Sequence, residues 1–194
     1  DPCDTLEYHQ ALKSKENSFI VVPTFRPDPL LNIDQSSYQT YVQKLADVSN
    51  IRINDFESLL QAIRARHDFF GSLGCKASDH GQIHIYAHEY SDTEVRNIFK
   101  KAIQGQPVTF EEANKYKSAI QYELAMMNHE KAWVQQFHLG AIRDNNSRML
   151  STLGNNIGVD SIGDYNQIEA MSRLFNRLDK DDKLTKTIVY NNNP

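Results

Sequence analysis

The sequence predicts an α/β fold in which short parallel strands alternate with helices. Three strand-like runs, at about 19–23, 75–78 and 133–138, each end in a cluster of charged or imidazole side chains. Helical sequence separates each strand from the next, so the connections are crossovers and the strands should run parallel. In an α/β barrel the C-terminal ends of the strands converge on one mouth, where the chemistry takes place. We therefore expect the three clusters to lie close together.

Composition excludes several classes of protein. A chain of 194 residues can bury one domain or two small ones. The net charge of -4, with no cluster of Lys and Arg, argues against a nucleic-acid partner, and no apolar run approaches the roughly 18 to 20 residues that span a bilayer. Cys3 and Cys75 are too few for a disulfide framework and match no zinc spacing. We interpret them as reduced thiols of a cytoplasmic protein.

The first helical excursion is expected at about 34–73. Asp34 is the predicted N-cap of a helix whose apolar positions recur at steps of three and four residues. Those positions are Tyr38, Tyr41, Val42 and Leu45. Asn54 is the predicted N-cap of the next helix, which should stop near Gly71.

The second helical excursion is expected at about 91–132. Residues 91–94 and 109–112 both fit the capping-box pattern, in which the two end side chains bind each other's backbone amides. They should open helices at about 92–104 and 110–131.

A last helix and strand complete the predicted order. The helix follows Asp164, and five apolar residues should form its inner face: Ile168, Met171, Leu174, Phe175 and Leu178. A fourth strand is expected at about 187–190. Since a closed barrel needs eight strands, four of them leave two architectures open, a small open sheet or about half of a barrel.

Arg26, Asp79 and His80 follow two of these strands. A guanidinium such as that of Arg26 can bind a carboxylate through two parallel hydrogen bonds, although it could also pair with Asp28 on the surface. A carboxylate beside an imidazole can act as base and acid when its environment moves the pKa values toward neutrality. Asp79 and His80 could equally be ordinary turn residues.

His138 and Arg143 belong to the third cluster. His138 ends a mainly apolar strand, and histidine is a frequent metal ligand and proton carrier. Residues 143–148 supply many hydrogen-bonding groups, as a polyhydroxylated ligand would require. The alternative is a loop built from Asn and Ser turns.

Two other groups of histidines invite interpretation. His80, His84 and His88 stand at helical spacing and could form a metal-binding face, but isoleucines alternate with the polar residues at 83–86, which also fits extended structure. His67 lies late in a predicted helix, where a histidine cation near the C-terminus is the expected role.

Five motifs together resemble the uronate isomerases, a family within the amidohydrolase superfamily that includes glucuronate and galacturonate isomerases. They occur in order at 24–28 (TFRPD), 74–80 (GCKASDH), 133–143 (WVQQFHLGAIR), 160–164 (DSIGD) and 186–190 (KTIVY). The resemblance covers essentially the whole chain. It implies a (β/α)8 barrel of the TIM type with extra helices, of which residues 1–194 would be a central segment with about four parallel strands.

The resemblance also implies an activity and roles. These enzymes interconvert aldose and ketose forms of hexuronates, such as D-glucuronate with D-fructuronate and D-galacturonate with D-tagaturonate. Arg26 and Arg143 would hold the carboxylate and hydroxyls of the sugar acid, with His80 beside it. Asp79 and His138 would be catalytic, and His138 would also bind a divalent metal such as zinc, which could polarise a carbonyl oxygen.

The chain departs from the family in ways that lead to further expectations. The His-x-His metal pair of the first strand and the Asp near the last strand have no counterpart, so His138 is the one metal ligand implied here. Asp144 stands where the family has the first of three Asn. We expect the segment to be inactive alone, and its sheet edges at 19–23 and 187–190 to favour a homo-oligomer.

Two other functions remain open from the sequence. One is metal-dependent hydrolysis within the same superfamily, which would need more metal ligands than His138. The other is a non-catalytic scaffold that binds a sugar acid weakly or serves interactions only. A hexuronate is the expected small-molecule partner in the first interpretation, with neither nucleic acid nor membrane.

Overall fold

The computed structural model of the protein describes residues 1–13, 15, 18–155 and 157–192. The helices are α1 (Glu7–Lys13), α2 (Tyr38–Ser49), α3 (Phe56–Ser72), α4 (Asp92–Ile103), α5 (Phe110–Glu130), α6 (Ser147–Leu153) and α7 (Ile168–Lys180), with a short 3-10 helix at Asp28–Leu31. The strands are β1 (Ala77–Gln82), β2 (Val134–Leu139), β3 (Ala141–Ile142), β4 (Ser161–Ile162) and β5 (Thr187–Asn191).

A parallel sheet of three strands organises the chain, in the order β1-β2-β5. Ala77 lies opposite Val134 in the first pair, and Gln135 lies opposite Thr187 in the second. Two long helices, α4 and α5, connect β1 to β2, which is the crossover that parallel neighbours require. The predicted parallel strands are therefore confirmed at β1, β2 and β5. The short strands β3 and β4 pair antiparallel outside this sheet.

The strand predicted at 19–23 is wrong. Phe19 and Ile20 are exposed, and no strand is assigned to that run. Pairing with β1 begins only at Phe25, which forms an isolated parallel bridge with Ser78. One physical reason is Pro23, which has no N–H to contribute to a ladder.

Helices cover one face of the sheet. Alternate residues of β1 and β2 are buried, as expected for strands with one face in the core. Phe137 and Leu139 of β2 pack with Leu174 and Leu178 of α7 on this face. A larger apolar cluster, built mainly from α2 to α5, includes Phe25. The side chains on the opposite face of the sheet are only partly buried.

Two predicted helix caps are wrong, and each has a tertiary or local cause. Asp34 does not cap α2, because that helix begins at Tyr38 with Ser37 at its N-cap; the carboxylate of Asp34 instead binds the ammonium of Lys117 at 2.9 Å. The cap of α3 is Asp55 rather than Asn54, and its carboxylate accepts the backbone N–H of Ser58 at 2.8 Å.

The capping boxes of α4 and α5 are confirmed. Ser91 and Thr109 accept the N–H three residues on, and Glu94 and Glu112 accept the N–H of the cap residue in return. The last predicted helix is present but begins at Ile168, which is exposed in its first turn, whereas its later apolar positions face the core.

Within the part of the chain that the structure describes, no helix is both long and apolar enough to cross a bilayer. Cys3 and Cys75 are buried free thiols, as the sequence indicated.

Candidate active site

Arg26, Asp79 and His138 meet on the sheet face that the helices leave open. Asp79 and His138 lie on this face because side chains alternate along a strand. Asp79 Oδ1 is 2.7 Å from His138 Nε2, and Asp79 Oδ2 is 3.5 Å from Arg26 Nη1. One carboxylate therefore stands between an imidazole and a guanidinium. The predicted convergence of the three clusters is present in the geometry.

Asp28 supports the guanidinium of Arg26. Its Oδ2 accepts the Nε–H of Arg26 at 2.8 Å, and its Oδ1 accepts the backbone N–H of Gly81 at 2.9 Å. The hydrogen bond that Arg26 donates to Asp28 raises the pKa of Arg26, so the guanidinium stays charged. Burial raises the pKa of Asp28, and the bonds from Arg26 and Gly81 oppose that rise.

Tyr190 of β5 contacts His138, the third residue of the Arg26–Asp79–His138 group. Its ring stacks on His138 with centroids 4.5 Å apart and planes inclined by 8°. The two residues are direct neighbours in the parallel register of β2 and β5. The phenol of Tyr190 donates to Gln136 Oε1 at 3.2 Å. The imidazole of His138 is thus held between a carboxylate and an aromatic ring.

His80 lies away from this group. It follows Asp79 in β1, so its side chain points to the opposite, helix-covered face, where it is buried and stacks on Phe137. Its Nε2 is 2.8 Å from Ser78 Oγ. Burial lowers the pKa of His80 to about 3, with smaller contributions from the charges of Arg26 and His138. The structure does not bring His80 to the open face with Asp79.

Arg143 borders the same end of the sheet from the loop after β3. Its Nη1 binds Asp160 at 2.6 Å, and the backbone N–H of Asp144 donates to the same carboxylate at 3.0 Å. A cavity of about 410 Å³ is lined by Arg143 together with Asp28 and Gly81. Arg143 therefore shares a cavity with the residue that holds Arg26.

The other predicted histidine roles are not met. His80, His84 and His88 do not form a helical face, because β1 and an extended loop occupy this stretch. His67 is not a helix-end cation: it is buried, and burial lowers its pKa to about 4. Nowhere in the described residues do three or more His, Cys, Asp or Glu side chains gather as metal ligands.

The sequence interpretation missed Tyr190 and Asp160, and treated Asp28 only as a surface partner. Tyr190 belongs to a predicted strand, but its contact with His138 depends on the strand register, which the sequence does not state. Asp160 lies within a quoted motif, yet its pairing with Arg143 depends on how the loop folds back. A carboxylate three-quarters buried beside an arginine is what distinguishes Asp28 from a surface residue.

Known proteins are similar to this chain over its whole length. A family model described as glucuronate isomerase matches residues 1–194. A curated uronate isomerase of Bacteroides fragilis is 46% identical over 197 residues, which cover 100% of this chain and 42% of the relative. One from Flavobacterium johnsoniae is 46% identical over 194 residues with the same coverage. This chain thus spans about two fifths of the length of these relatives.

Two solved structures are also similar to this chain. The uronate isomerase from Thermotoga maritima matches with a TM-score of 0.88 and 30% identity, over 98% of this chain and 42% of that chain. The glucuronate isomerase from Caulobacter crescentus matches with a TM-score of 0.87 and 26% identity, over 97% of this chain and 39% of that chain. Of the two architectures left open by the strand count, the partial α/β barrel is confirmed. A family model that matches every residue, together with these relatives, shows that the chain belongs to the glucuronate isomerase family.

Proposed function

We propose that this chain supplies part of the active site of a uronate isomerase, which interconverts the aldose and ketose forms of hexuronates. The observation that carries the proposal is the contact of Asp79 with both His138 and Arg26 on the open face of the sheet. D-Glucuronate with D-fructuronate, and D-galacturonate with D-tagaturonate, are the proposed pairs. The family match and the names of the relatives support this choice of substrate.

The chemistry needs one base and one proton carrier. Asp79 would accept the proton from C2 of the aldose, and the electrons of that C–H bond would form a C1=C2 double bond while the aldehyde oxygen gains a proton. The resulting enediol would collapse to the ketose when C1 receives a proton and the hydroxyl on C2 loses one. His138, at 2.7 Å from Asp79, is placed to carry protons to and from the oxygens.

Arg26 and Arg143 are the proposed groups for the carboxylate and hydroxyls of the sugar acid. A guanidinium suits this role because it stays charged and presents several donors in a fixed plane. His80 is not part of the proposal, since its imidazole faces the helix-covered side of the sheet.

A divalent metal such as zinc would supply polarisation of a carbonyl oxygen in the full-length enzyme. In the described residues His138 offers one nitrogen and Asp79 one carboxylate, which is fewer than the three or more protein ligands of a zinc site. These residues alone do not fit a metal, so no step above depends on one. The remaining ligands would have to come from outside residues 1–194.

The free buried thiols Cys3 and Cys75 fit a reducing compartment, so we place the enzyme in the cytoplasm. For residues 1–194 alone, a homo-oligomer is proposed on the basis of the strand edge at β5.

The test uses the full-length protein that carries this chain, assayed with D-glucuronate and D-galacturonate. Asp79→Asn keeps the shape of the side chain but cannot take up a proton, so we expect kcat to fall by about 100- to 10,000-fold. Asp68→Asn is the matched control, because Asp68 forms an exposed ion pair with Lys131. No turnover of either sugar acid by the wild-type protein would contradict the proposal. Hydrolysis of amide or ester substrates without isomerisation would instead support the hydrolase.

A further inference from the structure

The carboxylate of Asp28 binds the backbone of β1 just beyond Phe25, where the chain turns away from the sheet. Phe25 pairs with β1 through two backbone hydrogen bonds: its N–H donates to Ala77, and its C=O accepts from Asp79 at 2.9 Å. The next backbone N–H of β1 on the edge that pairs with Phe25 belongs to Gly81. In a continued parallel ladder that N–H would bond to the carbonyl of Pro27.

The carbonyl of Pro27 is instead taken by the 3-10 helix, because the N–H of Leu30 donates to it at 2.9 Å. The N–H of Gly81 therefore needs another acceptor, and the carboxylate of Asp28 takes that place at 2.9 Å. This bond fixes one oxygen of Asp28 to the strand. The second oxygen then has a defined position, in which it binds Nε of Arg26.

Gly81 provides the space for this arrangement. A Cβ at position 81 would lie 2.7 Å from Nη2 of Arg26 and 3.1 Å from Oδ2 of Asp28, so a side chain there would force the flexible end of Arg26 to move. Gly81 is not among the residues with positive φ, so its backbone could accept an alanine. Gly81 thus leaves room for the guanidinium above it, and the backbone conformation of β1 does not need a glycine there.

We propose that Asp28 is a positioning residue for the isomerase reaction, which holds the guanidinium of Arg26 over Gly81 so that its Nη1 edge faces the Asp79–His138 pair. This inference rests on the proposed function of the same site. An ordinary surface ion pair would add little to stability and nothing to the kinetics. Asp28 differs from such a pair, since 24% of its side chain is exposed and it binds the strand backbone as well as the arginine.

The kinetic test compares Asp28→Asn and Gly81→Ala with wild-type full-length protein. Asp28→Asn keeps an oxygen that can accept from Gly81 but loses the charge that holds Arg26. Gly81→Ala pushes the flexible end of Arg26 aside and leaves the backbone unchanged. Misplacing a group that contacts substrate by about 1 Å can cost about 100-fold, so we expect kcat/KM to fall by about that factor in both variants, mainly through KM.

Two matched controls separate this effect from a loss of folding. Gly71→Ala adds a Cβ that would meet Trp133 at an ordinary 3.5 Å, and Asp68→Asn removes an exposed carboxylate that pairs with Lys131. Both should keep wild-type KM. The thermal midpoint of Asp28→Asn should stay close to that of the wild type, because the bond to Gly81 can persist.

Chemical rescue gives a readout that a purely structural role would not change. Free guanidinium should restore part of the activity of Arg26→Ala, about 10-fold, because Asp28 would hold the ion in the vacated place through a charge-assisted hydrogen bond. The same ion should not rescue the double variant Arg26→Ala/Asp28→Asn. Equal rescue of the single and double variants would overturn the inference, as would Asp28→Asn kinetics equal to those of the wild type.

Different kinetic results would contradict the positioning role of Asp28 and the proposed function. A wild-type protein that isomerises hexuronates while Asp28→Asn and Gly81→Ala behave normally would overturn the positioning role alone. A wild-type protein that turns over no hexuronate would overturn the proposed function and this inference with it.

Discussion

At the scale of single residues, a buried chain of hydrogen bonds joins α3, α5 and β1. The Nε2–H of His67 donates to Asn128 Oδ1 at 3.1 Å, and the amide nitrogen of Asn128 donates to Ser78 Oγ at 2.8 Å. Ser78 Oγ also forms a hydrogen bond with His80 Nε2 at 2.8 Å. Burial lowers the pKa of both imidazoles, so both rings are neutral near pH 7. The chain thus gives His80 a structural role.

These two histidines should make the protein sensitive to acid. Burial lowers the pKa of His67 from 6.5 to about 4 and that of His80 from 6.5 to about 3, so the unfolded chain binds protons more readily than the folded one. Stability is therefore full above about pH 6.5 and falls as the pH drops toward the folded values. At pH 5 we expect each histidine to cost about 2 kcal/mol relative to pH 7, measured by urea unfolding.

A variant that cannot titrate provides the control for this prediction. His80→Phe keeps the aromatic stack on Phe137 and removes one of the two groups. Its free energy of unfolding should change about half as much between pH 7 and pH 5 as that of the wild type. If the free energy of unfolding of His80→Phe depended on pH as that of the wild type does, His80 would not be a cause of the acid sensitivity.

The residues of the candidate active site show how much of it the sequence alone could predict. The sequence predicts that Arg26, Asp79 and His138 converge, because each follows or ends a strand-like run, and the structure brings these three side chains together. His80 was grouped with Asp79 because the two are adjacent, yet adjacent residues of a strand point to opposite faces. Tyr190 was missed because its stacking on His138 depends on register, which the packing of whole strands sets.

At the scale of elements, helix ends were predicted well where the signal was entirely local. The capping boxes at 91–94 and 109–112 satisfy backbone groups within four residues, so no distant partner decides them. The prediction for Asp34 is wrong because α2 begins only at Tyr38, and the carboxylate of Asp34 pairs with Lys117, far along the chain. The first strand was placed at 19–23 by its apolar composition, whereas the observed pairing is at Phe25.

The cap of α5 should contribute measurably to stability. Thr109 accepts the N–H of Glu112, and this helix of 21 residues packs against both apolar clusters. Thr109→Ala should lower the free energy of unfolding by about 1 kcal/mol, and Thr109→Ser should restore most of the loss because serine is an equally good cap. Urea titration of the three proteins measures both differences. A Thr109→Ser protein as unstable as Thr109→Ala would contradict a capping role.

At the scale of the whole molecule, the sheet has one protected face and one open face. Helices bury Phe137 and Leu139, whereas Ile188 and Tyr190 on the site's side remain 42% and 45% exposed. In the described part of the chain β5 pairs with a neighbour on one side only, which leaves backbone donors and acceptors at that edge. Both features would be covered if the sheet continued into the remaining length of the relatives.

We therefore expect residues 1–194, produced alone, to lack isomerase activity and to self-associate. The proposed reacting groups would face bulk water, in which the electrostatic stabilisation of a developing enediolate is weak. An open strand edge also favours pairing with a second copy. Turnover of D-glucuronate, with the full-length protein as the positive control, tests the first expectation. Sedimentation velocity over a hundredfold range of concentration tests the second expectation. The variant Ile188→Lys should shift the distribution of species toward monomer. A monomeric segment with robust turnover would show that the site is complete within these strands.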